Sequence, residues 1–210
     1  MQVFLEKYEK VPVQEFPNHV PEYPLVSVCV TTYQHAAYIE QCLNGILMQQ
    51  TRFPFEILLG EDDSTDGTRE ICEAWARKYP GIIRLFLHHR ENKIKIKGTP
   101  SARFNALYNF FSARGKYLAL CEGDDYWIDP FKLQKQFDYL EKHPDFGIVS
   151  TDIILIDEQG NPLEDNEALV HQKVYGKPEV LFFDLLKVNL INTLTTCVRT
   201  NLMRDLADRV

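Results

Sequence analysis

After Pro24 the chain becomes a series of short apolar runs separated by amphipathic stretches. Leu25-Val-Ser-Val-Cys-Val30 is nearly continuous in apolar character and rich in β-branched residues, as a strand buried on both faces would be. Ile39, Cys42, Leu43, Ile46 and Leu47 follow at helical spacing, and Phe55-Glu-Ile-Leu-Leu59 reads as a second strand. A second helix places Ile71, Ala74, Trp75 and Lys78 along one side and stops at Pro80-Gly81, before a third strand at Ile82-Ile-Arg-Leu-Phe-Leu87. Thr99-Pro100 has the form of an N-cap followed by proline at the first helical position, with Phe104, Leu107, Tyr108 and Phe111 on the apolar face and Gly115 closing the helix. Lys116-Tyr-Leu-Ala-Leu120 is a fourth strand, and Asp129-Pro130 starts another capped helix carrying Leu133, Phe137 and Leu140. Phe146-Gly-Ile-Val149 and Ile153-Ile-Leu-Ile156 read as further strands.

This alternation predicts an α/β fold, a mainly parallel central sheet with helices on both faces, over residues 25–157. Ligands in such sheets bind beyond the carboxyl ends of the strands. Residues 1–24 contain Pro12, Pro17, Pro21 and Pro24 with little periodicity, which predicts an extended arm that wraps the domain or reaches a partner. Residues 158–210 are weakly patterned: a polar loop from Glu164 to Lys177, a short helix from Pro178 to Val188, a strand over Leu194–Val198 and a helix over Asn201–Val210. That last pattern stops without a breaker, so a truncated chain is the expectation.

Composition narrows the picture. The 210 residues are 45% hydrophobic, 25% charged and 12% aromatic, an ordinary globular balance that excludes disorder, collagen and coiled coil. A net charge of −7 argues against broad, nonspecific nucleic-acid binding but leaves room for a local basic patch. No apolar stretch approaches the roughly 18 residues of a membrane span, and Met1 to Pro24 lacks a signal-like core, so the cytoplasm is the default expectation. Five scattered cysteines (Cys29, Cys42, Cys72, Cys121, Cys197) without a CxxC pair read as reduced core thiols.

Polar groups that could carry chemistry gather at strand ends. Thr31-Thr32-Tyr33-Gln34 follows the first strand, Glu61-Asp62-Asp63 the second and Glu122-Gly123-Asp124-Asp125 the fourth, so a parallel sheet brings them to one edge. Paired aspartates there suit Mg²⁺ or Mn²⁺, which take one or two carboxylates and leave the other positions to phosphate oxygens and water. Neither GxGxxG nor GxxxxGK[ST] occurs, which counts against dinucleotide oxidoreductases and P-loop NTPases. Ser64 to Thr68 reads as turn and cap chemistry, Asp129 as an N-cap, and Trp75 as a core residue. His88-His89 has no third ligand nearby, while Trp127 lies two residues after the acidic group.

Three segments together carry a resemblance: Val26-Ser-Val-Cys-Val-Thr-Thr-Tyr33, Glu61-Asp-Asp-Ser-Thr-Asp-Gly-Thr68 and Gly115-Lys-Tyr-Leu-Ala-Leu-Cys-Glu-Gly-Asp-Asp-Tyr-Trp127. In this order and spacing they resemble glycosyltransferase family 2, whose members are inverting enzymes of the Rossmann-like GT-A fold that use nucleotide sugars. The resemblance implies that Thr31 and Tyr33 frame the nucleobase and that Asp62 accepts a hydrogen bond from a uracil N–H. It makes Asp124 the ribose-side aspartate, Asp125 the metal ligand of the DxD motif and Glu61 a second base or ribose contact. Mn²⁺ or Mg²⁺ is the implied cofactor. The sequence departs from the pattern at Glu122, which stands where an aspartate is usual, and at Asp63, where many members carry glycine.

Lys93, Lys95, Lys97 and Arg103 are the candidates for contacting a pyrophosphate, with Lys97 the first choice; the same Lys-Ile alternation also fits an exposed strand edge guarded by lysines. The family's general base comes from an acidic motif beyond the acceptor segment, which Leu190-Ile-Asn-Thr-Leu-Thr-Thr-Cys-Val-Arg199 resembles. That places the base beyond Val210, with Asp205 and Asp208 as alternatives on a solvated helix face. The expected partners are a UDP-sugar and a saccharide or lipid-linked acceptor of bacterial surface polysaccharide, with peripheral membrane association following from the resemblance. A non-catalytic sugar-nucleotide-binding module and a nucleotidyltransferase are the other classes. The latter would show a glycine-rich basic loop where Tyr33-Gln-His-Ala-Ala37 stands.

Overall fold

The structure, a computed structural model, describes residues 1–157, 159–163 and 191–207. Its strands are β1 (Gln14–Glu15), β2 (Val26–Thr32), β3 (Phe55–Glu61), β4 (Ile83–Leu87), β5 (Lys95–Ile96), β6 (Thr99–Pro100), β7 (Tyr117–Glu122), β8 (Ile148–Val149) and β9 (Cys197–Arg199). Its helices are α1 (Gln2–Tyr8), α2 (Ile39–Leu47), α3 (Thr68–Lys78), α4 (Arg103–Ser112), α5 (Lys132–Lys142) and α6 (Thr200–Ala207). Seven strands form one sheet in the order β1-β4-β3-β2-β7-β9-β8, and β5 and β6 make a separate two-stranded ribbon.

The four central strands β4, β3, β2 and β7 are parallel, as the alternating pattern predicts. The edges are antiparallel: β1 on β4, β9 on β7 and β8 on β9. Val26, Val28 and Val30 of β2 point into one core layer with Ile39, Leu43 and Ile46 of α2, Trp75 of α3 and Leu133 and Leu140 of α5. Cys29, Leu58, Phe86 and Leu118 point the other way, towards Tyr108 and Phe110 of α4 and Met203 of α6. Each fully buried aliphatic or aromatic side chain contributes about 1.5–3 kcal/mol, so these two layers dominate the stability of the sheet. All five cysteines are buried free thiols.

Several expectations need correction. The N-terminal segment is not extended throughout, because Gln2–Tyr8 is helical. Phe4 provides the reason, packing its ring 5.1 Å from Phe104 and 5.3 Å from Phe111, a long-range contact that sequence periodicity does not reveal. Thr99-Pro100 is strand β6 rather than a helix start, because Lys97 (φ 48) and Gly98 (φ 86) form a two-residue turn joining it to β5. Two successive positive φ values are what a tight hairpin turn requires. Asp129 does not cap α5, which starts at Lys132; its Oδ1 instead accepts the Phe131 N–H at 2.9 Å in a turn just before the helix.

Ile153–Ile156 forms no strand and keeps a single bridge, Ile156 to Pro162, while the strand expected at Phe146–Val149 shrinks to two residues. The strand expected over Leu194–Val198 is displaced to Cys197–Arg199, and it enters the main sheet beside β7. The loop and helix expected between Glu164 and Val188 lie outside the described residues.

Candidate functional site

The parallel register aligns the three acidic strand ends. Thr31 lies opposite Gly60 on one side and Glu122 on the other, and Thr32 opposite Glu61. Beyond this edge opens a cleft of about 400 Å³ lined by Thr31, Thr32, Tyr33, His35, Asp62, Ala102, Asn105, Glu122, Asp124 and Asp125. Five of the seven candidate residues therefore meet in one place: Thr31, Tyr33, Asp62, Asp124 and Asp125.

The other two do not line it. Glu61 is fully buried, with Oε2 held 2.5 Å from Arg69 Nε and Oε1 accepting the Ser64 N–H at 2.7 Å. Lys97 sits exposed at the tip of the β5–β6 hairpin. Lys93 reaches the cleft instead, with Nζ 3.2 Å from Asp62 Oδ2 and 4.1 Å above the Tyr33 ring. The Arg90 guanidinium lies 5.3 Å from the same ring. Burial raises the Asp62 carboxyl above its usual range, and the Lys93 ammonium opposes that rise.

The segment after β3 acts as scaffold. Ser64 Oγ accepts the Gln34 N–H at 3.0 Å, Thr68 Oγ1 the His35 N–H at 2.8 Å and Asp66 Oδ2 the Ala36 N–H at 3.0 Å. These bonds fix the turn that leaves β2, including Gln34 at φ 58, and so aim Tyr33 and His35. The Ser64–Thr68 segment is therefore turn chemistry, as its composition suggests.

The acidic end of β7 is a tight turn in which Gly123 N–H bonds to Thr31 O at 2.9 Å and Asp125 N–H to Glu122 O at 3.0 Å. A Cβ on Gly123 would come within 2.6 Å of Thr32 Oγ1 and 2.8 Å of His35 Nδ1, so the chain passes there only without a side chain. Burial and the neighbouring charges of Asp125 and Asp124 raise the Glu122 carboxyl. Burial and the charge of Asp124 likewise raise Asp125, against a hydrogen bond from Glu122 and the nearby His35. Asp124 is half exposed, 3.8 Å from His35 Nε2.

This like-charge cluster of hard oxygen donors suits a divalent cation. Among the described residues no three His, Cys, Asp or Glu side chains are grouped to hold one, so a cation here would take most of its ligands from a bound phosphate and water.

Two buried polar atoms behind the cleft, Thr32 Oγ1 and His35 Nδ1, find no hydrogen-bond partner among the described residues. Asn105 did not stand out in the sequence. Its only signal is polarity at i and i+4 with Asn109 on an otherwise apolar helix, and both side chains turn inward to donate to Gly60 O and Val30 O.

His88, whose metal role the sequence disfavoured, is a core residue. It lies edge-on to Phe104 and Tyr108, and burial with the Arg69 charge pulls it down to about 3, so it is neutral.

A second cavity of about 610 Å³ shares Asp124 and Asp125 with the first and runs along Trp127, Ile128, Ile153 and Leu194. Trp127 Nε1 donates to Leu194 O at 3.0 Å, and the buried Lys132 ammonium lies 4.1 Å above its ring. Burial pulls Lys132 down to about 8.

A sequence profile described as "Glycosyl transferase family 2" matches residues 27–207. The putative teichuronic acid biosynthesis glycosyltransferase TuaG of Bacillus subtilis is 32% identical over 177 residues, covering 83% of this chain and 62% of TuaG. An uncharacterized protein of Mycobacterium tuberculosis is 39% identical over 135 residues, 64% of this chain and 37% of that protein. The chain thus spans about a third to two thirds of the length of these curated relatives.

Among solved structures, S. aureus TarS 1-349 in complex with UDP superposes with a TM-score of 0.59 at 22% identity, covering 86% of this chain and 48% of that one. The mannosyltransferase PcManGT from Pyrobaculum calidifontis, in complex with GDP-Man and Mn²⁺, gives 0.57 at 20% identity, covering 98% and 53%. Both similarities concern the fold, which is that of GT-A enzymes. The chain belongs to glycosyltransferase family 2.

Proposed function

We propose that residues 1–210 carry the donor side of an inverting glycosyltransferase that moves a sugar from a UDP-sugar to a saccharide or lipid-linked acceptor in bacterial surface polysaccharide synthesis. The observation that carries this reading is the convergence of Tyr33, Asp62, Asp124 and Asp125, from three different strand ends, on one cleft. TuaG, by its name a teichuronic acid enzyme, and the UDP complex of TarS support the polymer and the nucleotide.

Tyr33 offers a ring face and Asp62 a carboxylate for a uracil N–H, while Thr31 closes the same side. Asp124 takes the ribose side. Asp125, with Glu122 beside it, would hold Mn²⁺ or Mg²⁺, and a cation bound there neutralises charge on the departing nucleoside diphosphate. Lys93, whose ammonium meets both Asp62 and Tyr33, adds a positive charge at the nucleotide side of the cleft. The cavity along Trp127 and Ile128, which shares both aspartates, is the acceptor side.

An acceptor hydroxyl must also lose a proton as it attacks the anomeric carbon. Glu122, Asp124 and Asp125 serve the donor, and in the resembling family the base comes from an acidic motif after the segment that ends here at Arg199. The nucleotide assignment is tested by titrating UDP and GDP into the chain with Mn²⁺ and following thermal stability. UDP should bind at least about tenfold more tightly, a difference of about 1.4 kcal/mol; equal affinities would sink the role of Asp62. Robust sugar transfer by the chain itself, abolished by Asp205→Ala or Asp208→Ala, would overturn the placement of the base.

A further inference from the structure

The N-terminal arm lines no part of the cleft, yet it is fastened to it through one buried residue. Asn92 is 2% exposed, and among the described residues its side chain hydrogen-bonds the arm alone: Oδ1 accepts the N–H groups of Lys10 at 2.8 Å and Val11 at 2.9 Å, while Nδ2 donates to Val11 O at 2.7 Å. The next residue is Lys93, whose ammonium touches both Asp62 and Tyr33. Arg90, at the other end of the same single helical turn, faces Tyr33 and gives its N–H to Asp63 Oδ2 at 3.2 Å.

The arm is itself held at two places, by Phe4 against Phe104 and Phe111, and by β1 paired with β4, where Gln14 lies opposite Leu87. The turn from Arg90 to Lys93 is thus clamped between the end of β4 and the arm.

We propose that Asn92 is a positioning residue through which the N-terminal arm sets Lys93 over Tyr33 and Asp62, and so controls the affinity of the cleft for a nucleoside diphosphate. This rests on the donor-site reading above and extends it to a segment that touches no ligand. A lysine on a free loop has many rotamers, and ordering it opposes binding. Fixing its backbone in advance removes part of that cost. The cleft also holds Asp62, Glu122, Asp124 and Asp125, so a misplaced Lys93 leaves a strongly anionic cleft facing an anionic ligand.

Two readouts test the relay in the full chain. The first needs no nucleotide: the Asp62 carboxyl, faced by Lys93, Glu61 and Arg90, is titrated by NMR in the parent, Lys93→Ala and Asn92→Ala. Removing Lys93 should raise the Asp62 midpoint. Asn92→Ala should raise it in the same direction.

The second readout is UDP titration into the same set and the double variant. Each alanine variant should bind about tenfold more weakly, and the double variant no more weakly than Lys93→Ala, because Asn92 acts only through Lys93. An Asp62 midpoint in Asn92→Ala equal to the parent's would overturn the proposal, as would Asn92 and Lys93 effects that multiply. A parent chain that binds no UDP while the Asp62 shifts appear as expected would contradict the donor-site reading and the affinity claim, leaving the positioning of Lys93 by the arm supported.

Discussion

Glu61 Oε2 lies 2.5 Å from Arg69 Nε, and the carboxylate is fully buried between that guanidinium and the Ser64 amide. Arg69 also donates to His88 O at 2.8 Å, so one ion pair ties the end of β3, the first turn of α3 and the end of β4 together. Removing one partner of a buried pair leaves an uncompensated charge. Arg69 keeps Asp63 3.5 Å away and is partly exposed, so Glu61→Ala should lower unfolding stability by about 1–3 kcal/mol in urea titration. A variant of unchanged stability that loses nucleotide binding would instead make Glu61 a ligand contact.

Gly123→Ala tests the turn that presents the acidic cluster. The new methyl group would press on Thr32 Oγ1 and His35 Nδ1, and overpacking of this kind costs about 1–3 kcal/mol. The displaced turn should carry Asp124 and Asp125 out of place, so cation-dependent nucleotide binding should fall more than stability does. Normal binding with normal stability would show that the turn tolerates a Cβ.

The raised carboxyls of Asp62, Glu122 and Asp125 set a pH dependence. A carboxyl whose folded-state pKa exceeds its unfolded value binds more protons when folded, so its stabilising effect is present at low pH and is lost as pH rises through the folded pKa. These three groups should therefore make stability fall from the ordinary carboxylate range upward. A divalent cation competes with the protons, so Mn²⁺ should raise the Tm more at pH 7 than at pH 4. Thermal scans at both pH values, with and without Mn²⁺, check this; a cation effect independent of pH would argue against a site at Glu122 and Asp125.

The arm is predicted to be an integral part of the domain. Phe4 is 7% exposed against two aromatic rings, and Phe→Ala at such sites costs about 3–5 kcal/mol. Phe4→Ala should accordingly lower stability and speed proteolysis between Lys10 and Pro12. Cleavage at the parental rate would show that the arm is not held by this contact.

The parts legible in the sequence were those set by local pattern. β2, β3 and β7 are apolar, β-branched runs, and their acidic ends reach one edge once the strands are parallel. What the sequence hid depends on contacts across the fold. Glu61 and Asp62 are adjacent carboxylates with the same local signature, and only Arg69, reaching back from α3, separates the anchor from the cleft residue. Lys93 and Lys97 share the same face of an alternating stretch. The positive φ values at Lys97 and Gly98 put Lys97 at a hairpin tip, while Lys93 touches Asp62 and Tyr33. The helix at Gln2–Tyr8 was masked by the prolines that follow it and rests on an aromatic contact 100 residues away, between Phe4 and Phe104.

The central claim is that Asp125 and its neighbours hold a cation that binds together with a uridine nucleotide. Calorimetric titration of UDP with and without Mn²⁺, on the parent chain and on Asp125→Asn, addresses it most directly. Mn²⁺ should strengthen UDP binding at least about tenfold, about 1.4 kcal/mol, and Asp125→Asn should lose that gain while keeping the metal-free affinity. UDP binding of equal strength with and without Mn²⁺, or a parent and an Asp125→Asn variant that cannot be told apart, would contradict it.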